Sequence, residues 1–153
     1  MNDSAQHLYI LTGASRGMGR AMAEQLLQPG HTLLTLSRRI DGNLATQAQQ
    51  SGAELIQWSA DLAEPQAAAA HLRGWLAAFP GDRFASAALI NNAGVIGEIA
   101  PLRDARAPDL AHALRVGLEA PMLLTAAFLD ATRAWRGVRK VLNISSGLGR
   151  RAM

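Results

Sequence analysis

The stretch LYILTGASRGMG, residues 8–19, decides the fold. Its first four residues form an apolar run that Thr12-Gly13 stops abruptly, as a strand buried on both faces would end. From Met18 onward the period changes. Met18, Ala21, Met22, Leu26 and Leu27 recur at helical spacing until Pro29-Gly30. A strand, a glycine-rich turn and a helix in direct succession can hold the pyrophosphate of a dinucleotide. Gly13 permits the tight turn, Gly17 lets backbone approach the phosphates, and Gly19 lets helix and strand pack closely. The helix start then offers unpaired N–H groups and a positive dipole end. Glycine spacing alone also fits a bare turn; its place between first strand and first helix turns the reading towards a nucleotide.

Outward from this stretch, short apolar runs alternate with helix-like segments. Strands are expected at Thr32–Leu36, Glu54–Trp58, Ser86–Ile90 and Val138–Ile144. Between them fall a polar helix through the Gln-rich residues 44–50, an alanine-rich helix over 66–78 and a long helix over about 107–133. Glu64 and Pro65 suit the first turn of the second of these, and Pro80-Gly81 stops it. This order predicts an α/β fold: a Rossmann-like doubly wound parallel sheet of about five strands, with helices on both faces. With no internal repeat or linker, residues 1–153 read as a single dinucleotide-binding domain.

Composition narrows the class. Nearly half the chain is apolar (49%) and 18% is charged, which suits a folded globular domain. No run reaches the roughly 18 apolar residues of a membrane span. The start, MNDSAQHLY, lacks a basic and then apolar leader, so secretion is not expected and a cytoplasmic location is. Without cysteine there is no disulfide framework and no thiolate chemistry. The four histidines are scattered without ligand spacing, so no metal is expected. The net charge of +3 comes from fourteen arginines and one lysine against twelve acids. RAWRGVRK (133–140) and GRR (149–151) are locally basic, yet the excess is too small and scattered for a nucleic-acid footprint.

The exit of the second strand bears on the cofactor. An acid there would hold the 2′-OH of NAD. Here it reads Ser37-Arg38-Arg39, with no acid before Asp41, and Arg16 sits inside the glycine turn. Converging guanidiniums suit a 2′-phosphate, which arginine binds bidentately, so NADP(H) is favoured over NAD(H). The alternative is a solvated basic face.

Two further motifs, Asn91-Asn92-Ala93-Gly94 and Asn143-Ile144-Ser145-Ser146-Gly147, follow the fourth and fifth strands. Together with TGASRGMG they make the whole chain resemble the short-chain dehydrogenase/reductase family. That resemblance implies hydride transfer between a nicotinamide and a small-molecule carbonyl or secondary alcohol, in a homo-oligomer. It assigns Thr12, Gly13, Ser15, Gly17, Met18 and Gly19 to the phosphate turn, and Arg16, Ser37 and Arg38 to the adenosine side. Asp61-Leu62 matches the pair that borders the adenine, although an acid near a helix start also caps helices. Asn91, Ala93 and Gly94 match the motif that steadies the sheet and lines the ribose; a purely structural role for the Asn pair is the alternative. Ser146 matches the catalytic serine, whose hydroxyl donates to a developing alkoxide without titrating near neutral pH.

The pattern then departs. The family's acid is a tyrosine assisted by a lysine four residues on, placed beyond Ser146. Here the one tyrosine, Tyr9, lies in the first strand and the one lysine, Lys140, in the fifth. A phenol's ordinary pKa is about 10, so a neighbouring ammonium matters to the reaction. The expectation is a domain incomplete at its C-terminal side, with Ser146 the one catalytic residue present and little or no turnover. The alternative is a non-catalytic nucleotide-binding remnant or subunit partner. Gly117 also stands where the family places an asparagine in its proton relay, and with Pro121 it should weaken or bend the long helix. Leu114, Leu118, Met122, Leu123 and Phe128 give that helix more apolar surface than one sheet contact needs, and the fifth strand is expected to be an uncovered edge. Gly147-Leu-Gly-Arg-Arg151 is expected to begin a substrate-side loop.

Overall fold

A computed structural model describes residues 5–147. Residues 148–153, and with them most of the expected substrate-side loop, lie outside the described residues. Strands β1 (His7–Thr12), β2 (His31–Ser37), β3 (Glu54–Ser59), β4 (Ser86–Asn91) and β5 (Val138–Asn143) form one sheet in the order β3-β2-β1-β4-β5. Every neighbouring pair is parallel, with Ile10 opposite Leu34 on one side and Leu89 on the other. The doubly wound fold expected from the alternating pattern is therefore the observed one.

Helices α1 (Gly17–Leu26) and α2 (Gly42–Ser51) belong to one apolar cluster, with Ala23, Leu27, Leu44 and Ala48 against Leu11 and Leu33. Helix α3 (Pro65–Ala77) belongs to the other, where Leu72 and Leu76 join Leu8, Ile10, Leu34 and Leu36. Alternate residues of β1 thus serve opposite layers, as strand geometry requires. Pro65 stands in the first turn of α3, as expected, with Glu64 at the N-cap position. Asp61 does not cap that helix: its Oδ1 accepts from the Ala63 amide at 2.9 Å in a turn that precedes it.

The long helix is not continuous. It divides into α4 (Ala107–Leu114), a π-helical turn at Arg115–Glu119, and α5 (Ala120–Ala131). Pro121 has no N–H to give the Gly117 carbonyl four residues back, and its ring crowds that carbonyl. The backbone widens instead, so that the Ala120 amide reaches the carbonyl of Arg115. The expected weakness at Gly117 and Pro121 thus takes the form of a π-turn. Of the apolar residues expected to be in excess, Leu114, Leu118 and Met122 are exposed and Leu123 is half-buried. Phe128 corrects that expectation: it is fully buried, because α5 turns this side chain into the core beside Phe84. β5 is one edge of the sheet, β3 being the other, and all six residues of β5 are exposed.

Candidate functional site

The carboxyl ends of β1 to β4 open onto a cleft of about 310 Å³. It sits where the strand order reverses between β1 and β4, the position at which open α/β sheets bind ligands. The turn supplies Gly13, Ser15, Arg16, Gly17, Met18 and Gly19 to its lining. The exits of β2 and β3 add Ser37, Arg38, Asp61 and Leu62, and that of β4 adds Ala93 and Gly94. These predicted site residues converge on one concavity.

The turn is built by close approach. A methyl on Gly19 would land on the Gly13 carbonyl and the Asn92 amide, so the helix can seat on the strand only with glycine here. Gly17 is the reverse: its φ is +56° and nothing lies within 4 Å of where a side chain would begin. A left-handed backbone facing open space leaves room for a ligand to meet main chain directly. The start of α1 has no side-chain cap and no acid in its first turn, so its leading N–H groups keep their capacity for an anion. These features fit a pyrophosphate.

Four predicted residues lie outside the cleft lining. Thr12 is buried beneath it, where Oγ1 accepts from the amides of Asn92 and Ala93, both at 3.0 Å, and so ties β1 to the exit of β4. Asn91 is also buried; its Nδ2 donates to Asn143 Oδ1 at 2.8 Å and to Thr125 Oγ1 at 3.2 Å, bracing β5 and α5. Arg39 faces an adjoining depression of about 610 Å³, which it shares with Arg16, Arg20, Arg38 and Asp41. Ser146 lies just past β5, exposed, and does not line the cleft.

Several lining residues were not foreseen. Asn92 donates Nδ2 to the carbonyls of Thr12 (3.0 Å) and Gly13 (3.2 Å); its place in the Asn-Asn-Ala-Gly motif was the signal available. Leu36, Ala60 and Val95 flank predicted positions on the strand exits. His112 and Val116 reach the cleft from α4 and the π-turn, and no local pattern marks them.

The electrostatics of the adenosine side are asymmetric. Among the described residues, Arg16, Arg38 and Arg39 have no carboxylate partner, while Arg20 meets Glu24 at 3.1 Å and Asp41 at 3.4 Å. Asp41, the one acid near the exit of β2, uses Oδ1 to cap α2 through the Asn43 amide at 2.9 Å and Oδ2 to meet Arg20. Both oxygens are thus directed at α2 and α1. Ser37 accepts from the Ala14 amide at 2.9 Å, which anchors the turn to β2.

The sequence pattern of the short chain dehydrogenase family matches residues 7–153. The benzil reductase ((S)-benzoin forming) of Bacillus cereus is 34% identical over 141 residues, covering 92% of this chain and 57% of that protein. The sepiapterin reductase of Xenopus laevis is 35% identical over 152 residues, covering 91% of this chain and 56% of that protein. The chain thus spans a little over half the length of these curated relatives. Among solved structures, a short-chain dehydrogenase/reductase from Burkholderia vietnamiensis superposes with a TM-score of 0.84 at 36% identity, over 97% of this chain and 67% of that one. A metagenomic short-chain oxidoreductase in complex with NADP gives 0.82 at 30% identity, over 97% and 65%.

Proposed function

Since this chain belongs to the short-chain dehydrogenase family, we propose that its cleft binds a nicotinamide dinucleotide, NADP(H) in preference to NAD(H). The observation that carries the preference is the state of Asp41. No acid stands at the exit of β2 itself, and the first one after it, Asp41, is engaged by the α2 cap and by Arg20, while among the described residues Arg16, Arg38 and Arg39 carry guanidiniums without a carboxylate partner at the same rim. The NADP bound to the metagenomic relative supports the same reading.

In this proposal the turn residues Thr12, Gly13, Ser15, Gly17, Met18 and Gly19 seat the pyrophosphate, chiefly through backbone N–H groups. Arg16, Ser37, Arg38 and Arg39 take the adenosine phosphate, Asp61 and Leu62 border the adenine, and Asn91, Ala93 and Gly94 support the ribose side. The nicotinamide, when bound, exchanges hydride with a small carbonyl or secondary alcohol. Ser146 donates its hydroxyl hydrogen to the substrate oxygen. Among the described residues no phenol is placed to complete proton transfer: Tyr9 packs from mid-β1 against the His31 ring, and Lys140 sits in β5 opposite Ala88. General acid catalysis contributes about 10²–10⁴-fold in rate, so this 153-residue polypeptide binds cofactor but turns over near background. The same observation supports a second reading, a nucleotide-binding subunit whose chemistry lies elsewhere. A cytoplasmic location and a homo-oligomeric state complete the proposal.

Titration with NADPH and NADH, followed by calorimetry, tests it. NADPH is expected to bind at least about tenfold more tightly, the scale of a charge-assisted bidentate contact. Equal affinity, or no binding to folded protein, overturns it. Appreciable NADPH-dependent carbonyl reduction would retain the cofactor assignment and overturn the low turnover.

A further inference from the structure

Beside the cleft, the segment Arg38–Asp41 is held by a side chain from the sheet edge. Gln57 of β3 accepts from the Asp41 amide through Oε1 at 3.0 Å and donates Nε2 to the Asp41 carbonyl at 2.9 Å. This two-bond clasp pins the backbone that follows the two free guanidiniums. The Asp41 side chain is only 12% exposed and is fixed by α2 through its cap and by α1 through Arg20. One residue therefore gathers polar contacts from α1, α2 and β3. Among the described residues, Arg20 alone of the four arginines around the depression is drawn aside by carboxylates.

We propose that Gln57, Asp41 and Arg20 form a brace that sets the ratio of NADP(H) to NAD(H) affinity, with Gln57 positioning the loop of Arg38 and Arg39 and Asp41 withholding Arg20 from the phosphate. This rests on the NADP(H) reading above. Bidentate contact between guanidinium and phosphate depends on geometry, so a loosened loop must be reordered when the 2′-phosphate binds. A ligand without that phosphate makes no such demand. The carboxylate acts in the opposite sense. Asparagine caps a helix as well as aspartate does, so Asp41→Asn keeps α2 in place and removes the charge that draws Arg20 towards the loop, leaving Glu24 of its own helix as its carboxylate partner.

The two substitutions are thus expected to move selectivity in opposite directions, which a merely structural role would not do. Affinities of the whole 153-residue chain for NADPH and NADH are measured by calorimetry, with melting curves to establish folding. Gln57→Ala is expected to weaken NADPH about tenfold, the scale of lost hydrogen bonds to a charged group, and to leave NADH within about twofold. Asp41→Asn is expected to tighten NADPH about threefold, the scale of a part-exposed ion pair, and adding Arg20→Met abolishes the gain. If Gln57→Ala does not fold, Gln57→Met, which keeps the length of the side chain and adds no charge but makes neither bond of the clasp, carries the test with the same expected loss. A wild-type preference for NADPH that both substitutions leave unchanged, or shift the same way, overturns the brace alone. A wild-type chain that binds both cofactors alike overturns the underlying reading and the brace with it.

Discussion

The glycine turn after β1 and the α4–α5 flank both carry apolar residues in sequence and are opposite in outcome. Around the turn, Leu11, Leu36 and the strand-end hydroxyls of Thr12 and Ser37 are buried, and each hydroxyl serves a backbone amide of a neighbouring segment. On the flank, Leu114 is 60%, Leu118 55% and Met122 64% exposed, and β5 is exposed throughout. The first region has a packed layer on each face of its strands. The second presents its stripe to solvent. An apolar pattern states that a surface seeks burial; the elements packed against it decide whether burial occurs.

The largest expected effect breaks the first region. Gly19→Ala puts a methyl into the backbone carbonyl of Gly13 and the side-chain Nδ2 of Asn92, which is itself held by its bonds to the Thr12 and Gly13 carbonyls. A loss of about 4 kcal/mol in unfolding free energy is expected, the upper range for overpacking, or no folded protein at all. Urea denaturation of the variant beside wild type measures it. Next comes Thr12→Val, which keeps shape and burial but leaves the amides of Asn92 and Ala93 without their shared acceptor. About 2 kcal/mol is expected by the same measurement, since unmet buried donors cost about 1–3 kcal/mol.

These two positions show how far the sequence could be read. The fold was legible because strand, turn and helix each carry a local signature, and four repetitions of that alternation closed by a fifth strand point to a doubly wound parallel sheet. The cleft was legible in the same way, since Gly13, Arg16, Arg38, Asp61 and Ala93 all stand at strand exits that a parallel sheet brings to one end. His112 was not, because its membership depends on where tertiary packing sets α4 beside the cleft, which no local spacing encodes. Phe128 was misread for a related reason. Apolar residues in the long helix can be counted from sequence, but their facing changes where Pro121 forces the π-turn. Asp41 was noted only as an acid standing too late to be the NAD-type residue; its engagement by α1, α2 and β3 arises from tertiary contact alone.

The second region can be sharpened rather than broken. Leu110, Leu114, Leu118 and Met122 recur four residues apart and are exposed, so the wild-type chain is expected to self-associate in sedimentation velocity. Leu118→Lys with Met122→Lys is expected to weaken that association by about tenfold or more, roughly 1.4 kcal/mol. Unfolding stability should stay within about 0.5 kcal/mol, as for other surface substitutions. A wild-type chain that sediments as a monomer at every concentration would remove the flank from the comparison.

The smallest effect uses the same chemical change as the largest. Gly74 lies inside α3, exposed, with nothing within 4 Å of where a Cβ would stand and no positive φ. Gly74→Ala removes backbone freedom from the unfolded chain without a native clash, and is expected to stabilise by about 0.5–1 kcal/mol. Gly19 is also in a helix, and its methyl is expected to cost several times that amount. Helix propensity is shared by the two sites and so cannot account for opposite signs. What separates them is the Gly13 carbonyl and the Asn92 amide pressed against α1. If Gly19→Ala proved as benign as Gly74→Ala in urea denaturation, the cleft would not be built by the close approach of helix and turn, and its fit to a pyrophosphate would lose its physical basis.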